Sequence, residues 1–441
     1  MNPLSDPYRR RWFGWGLLVG AFFLVSLYRT STAVLSEQLM RSFDTTATSL
    51  GLLHSSFFYL YAVFQVPAGL LTDRYGARVI AAAGTVLMSA GAIAFGVAPT
   101  YALAFVGRLC IGLGASVLFV AVLRFCANWF RPDEFGTMTG VTFSVGILGG
   151  LAATTPLAVA VTTVGWRNSM LGLGVIGLAV AVGIALFAHD SPSDAGLPPL
   201  ENVPDRPDVT SAATLKRYVA DAVREPETWL LGTMLFFMTG IGITIFGLWG
   251  IPYLVQTHDN VTVTEASVYL LVGNVGGMIG PTLFGWLSDR SGRRTGLIVL
   301  STVVFGLTWG VFAFFGTLPL LFVGVIFLFS RVLRGGLPLA FAVIKERHPE
   351  GASGTVIGLI NTMGWIGAAV FPVVLGAALD VYWTGQTVNG TRTYTEFGYR
   401  VAFAIATVAG LIAAACAVAL HLRMQDQRPL ESACDVERST S

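Results

Sequence analysis

The chain has 441 residues, of which 54% are hydrophobic and only 12% charged, and its mean hydropathy is +0.69. A soluble domain carries about a quarter charged residues, so no soluble fold could hide this much apolar surface. The formal net charge of +2 comes from basic residues scattered through short segments, with no aromatic-interleaved basic patch, which excludes nucleic acid as a partner.

The apolar residues come in long unbroken runs, as expected of helices buried in lipid. Arg9, Arg10 and Arg11 precede a run from Trp12 to about Leu35. That run is too long for a signal peptide and lacks a small-residue cleavage site, so it is read as the first span. Spans are predicted over 13–36, 47–71, 78–98, 101–129, 136–163 and 167–188, and a second set over 228–256, 263–287, 295–315, 318–344, 354–380 and 399–421. The fold class is therefore all-α integral membrane. Its organisation is an N-terminal six-helix bundle (1–188), a linker (189–227), a C-terminal bundle (228–421) and a tail (422–441). Most of the 27 Lys and Arg residues fall in the two tails and the even-to-odd loops, which predicts cytoplasmic termini in a cell membrane. Pro192, Pro198, Pro199, Pro204 and Pro207 break any helix at the start of the linker. Further on, Leu215, Tyr218, Val219, Ala222 and Val223 follow helical spacing among Lys216, Arg217 and Arg224, which predicts a helix on the membrane surface ended by Pro226.

Two loops are near copies. After the second span the chain reads Gly69-Leu-Leu-Thr-Asp73-Arg74-Tyr-Gly76-Ala-Arg78, and after the eighth Gly285-Trp-Leu-Ser-Asp289-Arg290-Ser-Gly292-Arg-Arg294, an offset of 216 residues. A repeat at half the chain length predicts an internal duplication. In each copy a glycine permits close helix approach, a second turns the chain, the aspartate faces the N-terminal end of the next helix, and arginines anchor at the inner leaflet.

With these loops the sequence resembles the major facilitator superfamily, whose signature loop has this G-x-x-x-D-R-x-G-x-R form. The resemblance implies twelve transmembrane helices in two pseudo-symmetric six-helix bundles. It also implies a conformational-switch role for Gly69, Asp73, Arg74, Gly76 and Arg78, and for Asp289, Arg290 and Gly292; the plainer alternative is a positive-inside turn. Gly107-Arg108 with Gly112 and Gly114 is similar to that family's second motif, which assigns these residues a structural role. The phrases from Phe58 to Gly69 and from Gly247 to Tyr253 resemble branches that carry organic anions or small metabolites. Pro156 stands well after Gly149 and Gly150, so the Gly-Pro pair of the drug-antiporter branch is missing.

Gly172-Leu-Gly174-Val-Ile-Gly177 matches a dinucleotide fingerprint, yet no strand precedes it and it lies inside a span, so helix packing explains it. Gly273, Gly277 and Gly280 are read the same way. Neither a metalloprotease helix nor a Gly-x-Ser-x-Gly elbow occurs. Cys110, Cys126 and Cys416 lie in apolar runs and Cys434 in the tail, so neither a disulfide framework nor a metal site follows. No enzymatic activity, cofactor or metal is expected.

Arg29, Arg108, Arg124, Arg331 and Arg334 fall inside predicted spans, where an ionisable group costs at least about 2.5 kcal/mol on insertion scales and needs a partner or a wet cavity. Glu37, Asp380 and Glu346 sit only at span ends, a surplus of positive charge that suits an anionic cargo. Shifted by 216, Arg29 maps to Ile245, Arg108 to Gly324, Arg331 to Ala115 and Arg334 to Leu118, so none belongs to a duplicated pair. Arg29 is assigned to substrate contact or structural pairing. Arg331 and Arg334, at i and i+3, share a helix face suited to a shared anion or cavity water. Arg108 either snorkels outward or is structural, and Arg124 reads as an interfacial anchor. On the second span His54, Phe58, Tyr61 and Gln65 share a face. His54 is either a packing residue or the carrier of a coupling proton.

The sequence thus points to a secondary active transporter of a small organic anion, working by alternating access. Substrate binding is assigned to Arg29, Tyr61, Gln65, Arg331 and Arg334, with protons as the candidate coupling ion, the lipid bilayer as surroundings, and a monomer as the functional unit. An exporter of neutral or cationic compounds and a transporter-like sensor are the competing readings.

Overall fold

The computed structural model describes residues 6–198, 212–347, 350–388 and 391–439. Pro199, Pro204 and Pro207 lie outside the described residues, as do the side chains of Leu215, Lys216, Tyr218, Glu346 and Cys434. Among the described residues eleven helices are long and apolar enough to cross a membrane, or twelve when a pair bent by 58° is taken as one span.

The first half comprises α1 (Pro7–Thr30), α2 (Thr32–Phe43), α3 (Ala47–Val63), α4 (Gln65–Tyr75), α5 (Ala77–Val97), α6 (Tyr101–Ser116), α7 (Leu118–Trp129), α8 (Pro132–Ala152), α9 (Thr155–Val164) and α10 (Trp166–Phe187). After α11 (Ala212–Arg224) come α12 (Pro226–Thr244), a π-helical turn (Ile245–Trp249), α13 (Gly250–Thr257), α14 (Val263–Ser291) and α15 (Arg294–Phe315). The chain closes with α16 (Leu320–Leu333), a 3-10 turn (Arg334–Gly336), α17 (Pro338–Arg347), α18 (Glu350–Val381), the antiparallel hairpin β1 (Trp383–Val388) and β2 (Thr391–Tyr394), and α19 (Glu396–Ser439).

Several predicted single spans are two helices each, for local reasons. At Ser31 the chain leaves α1 where Thr30 Oγ1 donates to Ser26 O (2.9 Å) and Ser31 Oγ to Tyr28 O (3.0 Å); hydroxyls bonding back to carbonyls bend helices. Proline explains three more breaks, because it withholds the N–H from the carbonyl four residues back and crowds it. Pro67, Pro156 and Pro252 stand four residues past Val63, Ala152 and Leu248, which are the end of α3, the end of α8 and a member of the π turn. Pro281 and Pro372 lie inside α14 and α18 without ending them.

The 216-residue repeat is visible in the backbone. Gly76 and Gly292 both turn the chain at positive φ, +84° and +64°. Ser31 maps to Gly247 in the π turn, and Val117, between α6 and α7, maps to Leu333, where α16 gives way to the 3-10 turn. The same joints therefore recur in the first and seventh spans and in the fourth and tenth.

Contacts group the chain into two units, the first made of 1–209, 242–274 and 368–398, the second of 210–241, 275–367 and 399–441. In the first, α5 and α6 approach through paired glycines: a Cβ on Gly91 would lie 2.7 Å from Gly107 O, and one on Gly84 2.8 Å from Gly114 O. Such contacts favour dispersion between backbones, the main attraction available between helices in lipid. The second unit is centred on Trp309, Phe312, Phe327 and Phe403, all buried, with the Trp309 and Phe403 rings stacked at 6.0 Å.

Candidate functional site

In the first unit, Arg29 ends α1 at the Ser31 joint and its Nη2 donates to Ser26 Oγ at 3.3 Å. It lies within electrostatic reach of Tyr61, which is buried one turn before Gln65 on the second span. Gln65 opens α4 just beyond the Phe64 joint. Arg29 and Tyr61 thus lie near each other beside the interruptions of the first and second spans, and Gln65 stands at the second of these.

His54, two turns before Tyr61, is completely buried. Its ring meets Phe58 edge-on at 5.4 Å and lies against Gly247, where a Cβ would be 3.2 Å from the imidazole Cε1. Neither ring nitrogen has a hydrogen-bond partner among the described residues. The π turn therefore brings a residue without a side chain against the one histidine buried on the second span.

Arg108 does not snorkel. It is fully buried between the Phe57 and Phe95 rings, 5.9 Å from each centroid, and its Nη1 reaches Tyr28 O at 3.4 Å, in the last turn before the Ser31 joint. Gly114 faces α5, while Gly112 faces α3, where a Cβ would overlap the Phe57 carbonyl.

In the second unit Arg331 lies in the last turn of α16 and Arg334 opens the 3-10 turn. The Arg331 guanidinium packs on Gly277 of α14, 3.6 Å from where a Cβ would be. Gly276 and Gly280 lie against the Leu328 and Val332 carbonyls, and Gly335 against Gly280, so small residues bring α14 close enough to seat the cation.

The first signature loop departs from its expected local logic in one respect. Asp190, at the start of the linker, accepts the backbone N–H of Arg78 at 2.7 Å and so faces the N-terminus of α5. Asp73 instead pairs with Arg124 at 3.6 Å. Arg124 therefore leaves the set of span arginines read as lacking a carboxylate. Arg78 Nε donates to Ala185 O at 3.0 Å, and the Asn128 and Trp129 side chains donate to Asp190 O and His189 O. In the second copy Asp289 lies 4.0 Å from Arg294, and Arg290 stacks over Trp286 at 5.5 Å.

Sequence reasoning noted Asp380 only as a span-end acid. Its carboxylate accepts the first backbone N–H groups of α3, Ala47 at 2.9 Å and Thr48 at 2.8 Å, as well as the Thr48 hydroxyl. Here α18 and α3 nearly touch: a Cβ on Gly376 would be 2.5 Å from Ala47 O, and one on Gly51 would overlap the Pro372 carbonyl. The hairpin ties in beside it, with Thr391 Oγ1 donating to Glu37 O at 3.2 Å and Gln256 Nε2 to Arg392 O at 3.2 Å.

The family model of the Major Facilitator Superfamily matches residues 17–372 and 236–433. A probable sulfoacetate transporter of Cupriavidus necator is 26% identical over 83% of this chain and 86% of its own. The hexuronate transporter of Bacillus subtilis is 26% identical over 78% and 83%. Among solved structures, a bacterial homologue of the human lysosomal transporter Spinster, inward-facing and occupied, superposes with a TM-score of 0.78 at 18% identity, covering 94% of this chain and 97% of that one. With its duplicated loops, recurring joints and eleven to twelve apolar helices, the chain belongs to the Major Facilitator Superfamily and is a multi-pass membrane transporter.

Proposed function

We propose that this transporter moves a small organic anion by alternating access, recognised by Arg29, Tyr61 and Gln65 in the first unit and by Arg331 and Arg334 in the second. One observation carries the reading. The helix joints recur at the 216-residue offset, but the arginines beside them do not: Arg29 corresponds to Ile245 and Arg334 to Leu118. A duplicated scaffold accounts for the joints and leaves the cations to function. Interrupted spans are also where transporters of many folds place their ligands. The two relatives named for sulfoacetate and hexuronate, both organic anions, support the same class of cargo.

The coupling ion in this reading is a proton, with His54 as its carrier. The two bundles, 1–188 and 228–421, rock about the midplane as the signature loops at Asp73 and Asp289 engage and release. The protein works as a monomer in the cell membrane with both ends in the cytoplasm, and transport rather than catalysis is its whole activity. Flux of radiolabelled sulfonates and carboxylates into liposomes, with and without an imposed pH gradient, is the test. Arg29→Ala abolishes anion flux and Arg29→Lys retains part of it, since lysine keeps the charge and loses the planar fork. Transport of only neutral or cationic solutes, or saturable binding with no flux, would refute the proposal.

A further inference from the structure

A second site lies in the second unit, at the end of the spans where α11, α12 and α19 meet. There a cavity of about 560 Å³ is walled by Val223, Pro226, Trp229, Leu230 and Ala419, with Arg224 and Arg423 at its edge. No carboxylate lines it among the described residues. Its two arginines differ. Arg423 is engaged by the buried Glu227 at 3.4 Å, which Arg347 also approaches at 3.9 Å. Arg224 is exposed and has no ion-pair or hydrogen-bond partner among the described residues. The indole of Trp229, half exposed, donates to the C-terminal carbonyl of Val223 at 2.8 Å, which fixes the ring as one wall and ties α11 to α12.

We infer that this cavity binds the phosphate headgroup and upper acyl chain of an anionic phospholipid of the cytoplasmic leaflet. The volume is that of a ligand site rather than a packing defect. Its chemistry is divided as a lipid's is: guanidiniums for the phosphodiester, and a tryptophan with aliphatic walls for the glycerol and first methylenes. A soluble phosphate metabolite has no use for the apolar wall, and a zwitterionic lipid leaves the free Arg224 charge unanswered. The Glu227 pairing holds Arg423 in place while Arg347 keeps the local balance positive. The leaflet assignment rests on the topology proposed above; the site itself does not.

The test is native mass spectrometry of the purified full-length protein with dioleoylphosphatidylglycerol and dioleoylphosphatidylcholine. The wild type retains the anionic lipid preferentially. Arg224→Gln reduces that preference about five-fold, the worth of one arginine at a charged leaflet, and Arg224→Lys retains most of it. Arg217→Gln, on the same helix but paired with Asp221 at 3.9 Å away from the cavity, changes nothing. Equal retention of the two lipids, equal effects of the Arg217 and Arg224 substitutions, or displacement of the lipid by excess inorganic phosphate would overturn the inference. Arg224 is exposed and outside the proposed transport site, so Arg224→Gln folds and transports the anion in a matched lipid.

Discussion

Asp380→Asn isolates a latch that joins α18 to the start of α3. The carboxylate accepts two backbone N–H groups and a hydroxyl at a helix N-terminus. Hydrogen bonds to a charged group are worth about 1.5–3 kcal/mol, and an anion at a helix N-terminus adds about 0.3–1 kcal/mol. Asparagine keeps the shape and one acceptor oxygen but turns an amide N–H toward the second donor. The net loss is about 2 kcal/mol, or roughly a 30-fold gain in the unlatched population. Leu50, completely buried one turn into α3, reports on it. In a background without Cys110, Cys126, Cys416 and Cys434, a cysteine replacing Leu50 is labelled by a polar maleimide about 30 times faster in the Asp380→Asn protein, by the same arithmetic. Thr48→Val removes only the hydroxyl bond to the carboxylate, worth about 1.5 kcal/mol, and gives about a ten-fold rise. If labelling is unchanged by Asp380→Asn, α3 and α18 are held by glycine packing alone and the electrostatic reasoning fails.

Gly76→Ala lowers the thermal unfolding temperature more than Gly292→Ala, because both positions cost about 1–2 kcal/mol in left-handed backbone but only the Gly76 Cβ would overlap the Asp190 carboxylate. Asp73→Asn and Arg124→Gln, combined in a double-mutant cycle, give a coupling below about 1 kcal/mol, since both side chains are partly exposed. The His189 imidazole is held below its ordinary value of 6.5, chiefly by burial and further by Arg10 and Arg78, against the Phe187 carbonyl and Asp190. The fold thus favours neutral His189, a contribution present in full above about pH 6.5 and lost as pH falls through the lowered value. Thermal unfolding followed across this window shows a fall in stability on acidification, and His189→Gln flattens it.

The spans and their duplication were legible because hydropathy and an exact-spacing repeat are properties of the sequence alone; even the positive-φ turn at Gly76 and Gly292 follows from residue type. The joints were half legible. Pro67, Pro156 and Pro252 each announce a disrupted carbonyl four residues upstream, whereas the Ser31 joint depends on which hydroxyls turn back onto the helix, and Val117 carries no signal. Asp73 with Arg124, Asp190 with Arg78 and Asp380 with Ala47 were illegible for a different reason: 51, 112 and 333 residues separate the partners, and only packing brings them together. The hairpin at 383–394 had a sequence signal, threonine-rich segments about Asn389-Gly390, masked by the weight given to apolar runs.

Every proline inside a span subtracts one donor from the bilayer interior, and the orphaned oxygen must be met by a neighbour, a water or the cargo. For Pro281 that oxygen belongs to Gly277, the residue on which the Arg331 guanidinium rests. The surface that α14 offers Arg331 is thus a neutral one, a glycine whose backbone keeps an acceptor that the helix itself does not use.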